Sequence, residues 1–99
     1  MSTNQDIERL AGELGDQIYL DIAKWHLYLR DAKLHTLLAD QLGPIAEAGK
    51  ISESEIISTL NQTVIDLGGG KQKLPLSELI PVSGIRRVKD VLDEWTRSL

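Results

Sequence analysis

The stretch from Ile18 to Leu38, IYLDIAKWHLYLRDAKLHTLL, constrains this chain most. It holds both tyrosines, both histidines and one of the two tryptophans, with no glycine or proline to break it. More than half of it is apolar, and on a helix those residues fall on nearly every side. A helix that is apolar most of the way round belongs in the middle of a domain. The expectation is a long buried N-terminal helix or helix pair, with the remaining elements laid against it.

A chain of 99 residues supports one domain, 1–99, and one core. With no Phe and two Trp, that core must be built mainly from Leu, Ile, Val and Ala. The absence of cysteine excludes disulfides, thiolate metal sites and cysteine nucleophiles. The N-terminal MSTNQDIERLAGELG is polar and acidic, the opposite of a secretory signal. No apolar run approaches the roughly 20 residues that span a bilayer, so the expectation is a soluble, cytoplasmic protein with no membrane contact. The net charge of −4 is uneven: five basic and eleven acidic residues precede Gly70, six basic and four acidic follow it. A mildly positive tail on an acidic body suits docking or steering and lacks the concentrated basic face of a nucleic-acid binder.

Asn4 is placed to cap a first helix, with Asp6 and Glu8 in its opening turn. Ile7, Leu10, Leu14, Ile18, Ile22, Trp25 and Leu29 follow at helical steps, interrupted by Gly12 and Gly15. Those glycines imply a close helix crossing or a kink. The pattern leaves open whether residues 4–42 form one helix or two. Gly43-Pro44 reads as a break, and Ala46 to Gly49 as a short remnant ending on a glycine cap. Ser52-Glu53-Ser54-Glu55 has the pattern of a capping box, opening a helix that carries Ile56, Ile57 and Leu60 inward and stops near Asn61 to Thr63. Val64 to Leu67 and Lys73 to Leu76 flank three glycines, which predicts a short hairpin near 64–76. Ser77 and then Ser83 are placed as caps. The last helix carries Ile85, Val88, Leu92, Trp95 and Leu99 on one stripe, with Trp95 expected to share a core with Trp25. No internal repeat is legible. The fold class is mostly α with minor β.

Candidate chemistry is sparse. On an unbroken central helix, Asp21, Lys24, Tyr28, Asp31 and His35 share a face with Gln17, and Asp31 and His35 sit four apart as an acid–base pair. Two potential ligands fall short of the three or four a metal site needs, so no metal or cofactor is expected. Such a face is otherwise a solvated one with pairs such as Asp21 with Lys24. His26, between Trp25 and Leu27, reads as a buried histidine. Gly68-Gly69-Gly70-Lys71 lacks P-loop spacing, since Gln72 follows the lysine, and leaves a hairpin turn or a backbone nest for an anion. Arg86 and Arg87 open the last helix, where cations oppose the helix dipole and suit an acidic partner. No nucleophile–base–acid set can be assembled.

Tyr19-Leu20-Asp21-Ile22-Ala23-Lys24-Trp25-His26-Leu27-Tyr28-Leu29, Ala32-Lys33-Leu34-His35, and Gly68-Gly69-Gly70-Lys71 with Leu74-Pro75-Leu76-Ser77 and Leu79-Ile80-Pro81 together resemble a family of small uncharacterised cyanobacterial proteins. The resemblance implies a photosynthetic bacterium and its cytoplasm, and brings no catalytic residues. Two functional readings stand. The first is a non-catalytic protein-interaction or accessory module acting on a protein partner through Gly68, Gly69, Gly70, Lys71, Arg86 and Arg87, with a homodimer as one form of partner. The alternative is a small ligand-binding protein or enzyme using the polar face of the central helix.

Overall fold

The computed structural model describes residues 3–22, 25–67 and 72–99. Helix α1 (Asn4–Gln17) is capped by Thr3, one residue before the expected Asn4: the Thr3 hydroxyl accepts from the Asp6 amide and the Asp6 carboxylate from the Thr3 amide. That reciprocal box satisfies two donors, which Asn4 cannot do with Ile7 three residues on. Leu10 and Leu14 are buried on the face toward α3 (His35–Glu47), the principal helix–helix contact of the molecule. Gly15 makes the close approach possible, because a Cβ there would meet the His35 and Arg30 Cβ atoms at 3.1 Å.

The helix does not continue through the apolar stretch. Two strands, β1 (Tyr19–Ile22) and β2 (Trp25–Tyr28), pair antiparallel instead, with Tyr19 opposite Tyr28 and Asp21 opposite His26. The physical reason is a period of two that aromatic residues conceal. Leu20 turns into the core at 1% exposure while Asp21, His26 and Tyr28 face out. Because two outward positions are tyrosines, the segment looks apolar on every side. The hairpin leads directly into the turn α2 (Leu29–Ala32), which ends with Lys33 in the left-handed region at φ 61°.

Helix α3 also runs through Gly43-Pro44, where the sequence suggested a break. Gly43 lies against the tips of Ile7 and Leu10 and the Trp95 ring. Pro44 forfeits one hydrogen bond near the helix end without stopping it. The helix then closes as expected on a glycine: Gly49, at φ 74°, donates to the Ala46 carbonyl and Lys50 to that of Ile45.

Ser52 caps α4 (Glu53–Gln62), its hydroxyl accepting from the Glu55 amide, which is one half of the expected capping box. Ile56 and Leu60 turn inward as expected, whereas Ile57 is 39% exposed. The second expected hairpin is present as β3 (Val64–Leu67) and β4 (Gln72–Pro75). Its turn, 68–71, lies outside the described residues. Then come α5 (Leu76–Leu79) and α6 (Val82–Arg97), which follow Pro75 and Pro81 as N-caps; Ser77 and Ser83 lie inside the helices instead of capping them. Proline suits that place because its ring fixes φ.

The order helix, hairpin, one-turn helix, helix thus occurs twice, an internal repeat that the sequence did not reveal. Local contacts repeat with it. The Leu29 amide donates to the Ile18 carbonyl at 2.9 Å, and the Leu76 amide to the Thr63 carbonyl at 2.7 Å. Arg30 ties α2 back to Asp16 of α1, and the Ser77 hydroxyl donates to Asn61 of α4 from the matching position. The aligned segments are Gln17-Ile-Tyr-Leu-Asp-Ile and Gln62-Thr-Val-Ile-Asp-Leu. Upstream, Leu10 and Leu14 match Ile56 and Leu60, a register one residue out. The end of α4 absorbs the difference by bonding Thr63 three residues back, to Leu60, where Ile18 bonds four back, to Leu14.

The two units share one core. Trp95, at 1% exposure, packs from α6 and donates its indole N–H to the Asp6 carbonyl at 2.8 Å. Ile85, Val88, Val91 and Leu92 line the same face, whereas Leu99, read as the end of that stripe, is 51% exposed. The expected pairing of Trp95 with the Trp25 side chain falls outside the described residues.

Candidate functional site

An antiparallel hairpin alternates its faces, so Tyr19 and Asp21 on β1 share the outer face with His26 and Tyr28 on β2. There the Tyr19 ring meets His26 edge-on at 5.1 Å between centroids and Tyr28 at 6.1 Å. The His26 Nδ1 lies 2.6 Å from the Asp21 Oδ1. The histidine side chain is 70% exposed, which corrects its reading as a buried residue. Leu20 and Leu27 take inward positions, and Tyr19, Asp21, His26 and Tyr28 outward ones.

The second hairpin repeats the plan with other chemistry. Asp66 is opposite Lys73, with the ammonium 3.9 Å from the carboxylate, and Val64 and Pro75 stand where Tyr19 and Tyr28 do. Each unit therefore carries a cross-strand acid–base pair beside an apolar pair. In one the base is a lysine ammonium, in the other a histidine imidazole.

Of the residues expected on a polar helical face, only Asp21 and Tyr28 come together. They do so across strands. Asp31 lies exposed on α2, and His35 begins α3 with its Nδ1 buried and without a partner among the described residues. Lys24 lies outside the described residues. With Tyr19–Ile22 and Trp25–Tyr28 in strands, no single helical face joins them.

Gly68, Gly69, Gly70 and Lys71 also lie outside the described residues. Arg86 and Arg87 are exposed on α6, the Arg86 Nε 3.8 Å from a Glu53 oxygen. Such a surface pair contributes little. Lys89 pairs with Asp93 at 2.9 Å, which holds its ammonium above the usual lysine range. Among the described residues no three His, Cys, Asp or Glu side chains gather as metal ligands. Sequence reasoning missed Tyr19 and His26 as members of one exposed set; the alternation Tyr19-Leu20-Asp21 and His26-Leu27-Tyr28 is the signal that finds them.

Residues 7–95 match DUF3181, a family described as protein of unknown function. The chain belongs to this family. A DUF3181-family assignment agrees with similarity to a protein of Synechocystis sp. named thylakoid-associated protein, 33% identical over 94 residues, covering 95% of this chain and 93% of that one. No solved structure matches. In the DUF3181 chain no described helix is long and apolar enough to cross a membrane.

Proposed function

We propose that this DUF3181 chain is a non-catalytic accessory module that attaches peripherally to the thylakoid membrane by docking on a protein there. The observation that carries the reading is the end-to-end similarity to a thylakoid-associated protein in a fold whose described helices cannot cross a bilayer. Charge favours a protein over lipid as the anchor. A chain of net charge −4 is repelled by an anionic leaflet, and basic segments supply lipid attraction at about 1 kcal/mol per residue. Among the described residues, the large apolar side chains left exposed, such as Tyr28, Val64 and Val82, are spread over separate elements and form no membrane-facing helix stripe.

The test uses the purified protein and three targets: isolated Synechocystis thylakoid membranes, the same membranes shaved with trypsin, and vesicles of their extracted lipids. Retention on the intact membranes alone is expected. Equal retention on the vesicles would overturn the protein anchor, and no retention on any target would overturn the thylakoid reading.

A further inference from the structure

The outer face of the first hairpin has the composition of a cation receptor. Tyr19 and Tyr28 present aromatic rings, whose faces attract positive charge, within 6.1 Å of each other. Asp21 adds a carboxylate on the same face, its side chain 47% exposed and one oxygen engaged by His26. Tyr28 on the same face is 46% open to solvent.

The second hairpin supplies the comparison. At the equivalent position Asp66 faces the Lys73 ammonium of its own strand pair, between two aliphatic residues. There the carboxylate's charge is met from within the chain and no aromatic ring is offered. The two hairpins thus differ in what faces the cross-strand aspartate: a lysine ammonium beside aliphatic residues in the second, and in the first a histidine on one carboxylate oxygen, with two tyrosine rings on the same face and the Asp21 side chain still 47% exposed. Residues 1–50, which contain the first unit, hold eight acidic and five basic residues against seven and six in residues 51–99, so positive charge is drawn more strongly toward the first unit.

We propose that Tyr19, Asp21, His26 and Tyr28 form the docking surface for a basic segment of a partner protein, seating an arginine or lysine side chain on the tyrosine rings and the Asp21 carboxylate. This rests on the reading of the chain as a protein-docking module and names the surface and the partner's chemistry. Lipid phosphate and acidic peptides are repelled by the same carboxylate.

The probe is a capped tetra-arginine peptide, titrated into the full chain and followed by amide and aromatic NMR shifts, with tetra-citrulline as the uncharged control. The largest shifts are expected at Tyr19, Asp21, His26 and Tyr28, with little change at Asp66. Tyr28→Ala and Asp21→Asn should each weaken binding about three- to five-fold, the scale of one exposed cation–aromatic or charge contact. His26→Lys copies the second hairpin, conserves an exposed cross-strand pair that the fold already tolerates, and should remove the site-specific shifts. Shifts spread evenly over the acidic surface, or unchanged binding by a folded His26→Lys variant, would overturn the proposal. Failure here with retention on intact thylakoids would leave the accessory reading standing; success here with no retention would do the reverse.

Discussion

Gly12 and Gly15 lie on the same helix and look alike in sequence, yet the structure assigns opposite signs to their replacement by alanine. In a helix interior Gly→Ala is worth about 0.8–1.0 kcal/mol. At Gly12 that gain is kept, because the nearest atom to a new Cβ is the flexible end of Arg30 at 3.7 Å. At Gly15 the Cβ would meet the Cβ of Arg30 and the Cβ and Cγ of His35 at 3.1–3.2 Å. These atoms are fixed to the main chains of α2 and α3, so relief requires the helices to separate. Overpacking of that kind costs about 1–3 kcal/mol, which exceeds the propensity gain over most of its range. The two variants should therefore differ by roughly 2 kcal/mol, or about 8–16 °C in Tm for a domain of this size. Urea and thermal melts followed by circular dichroism measure both. If Gly15→Ala proves as stable as Gly12→Ala, the close α1–α3 crossing is wrong.

Three further outcomes follow from the geometry. Lys33→Gly should raise stability by about 1 kcal/mol, since a non-glycine residue in the left-handed region bears roughly that cost; an unchanged urea midpoint would remove the strain from the account. Trp95→Ala should lose about 3–5 kcal/mol, enough to threaten folding, and a near-wild-type cooperative melt would exclude its buried place. Hydrogen bonds from the Thr3 backbone, and then its side chain, hold the Asp6 carboxyl below the usual carboxylate range. A group with a lowered folded pKa stabilises above its unfolded value and loses that contribution as pH falls through the folded one. The melting advantage of wild type over Asp6→Asn should thus be full at neutral pH and vanish in acid, and a pH-independent gap would refute the capping box.

The capped helix at Ser52, the glycine-flanked second hairpin and the stripe of the last helix were legible because each has a local cause: a side-chain cap, a turn composition, a period. The first hairpin was hidden by tyrosines at its outward positions and by a connection, Ala23-Lys24, with none of the usual turn residues. His26 was misjudged for the same reason, since helical phase put it beside core residues and strand phase puts it in solvent. The repeat escaped notice because few identities survive, Gln17 with Gln62 and Asp21 with Asp66 among them, and the helix ends shift the register by one residue. Three of the four outward hairpin positions differ, Tyr19, His26 and Tyr28 standing where Val64, Lys73 and Pro75 do. That difference separates an aromatic face carrying a histidine–aspartate pair from an aliphatic one carrying a lysine–aspartate pair.

The most direct test of the account compares wild type, His26→Lys and Asp66→Asn for retention on intact thylakoid membranes in a single sedimentation assay. Wild type and Asp66→Asn should be retained alike, because the second hairpin's exposed ion pair contributes little, while His26→Lys should remain in the supernatant. Equal retention of all three folded proteins would contradict docking through the first hairpin.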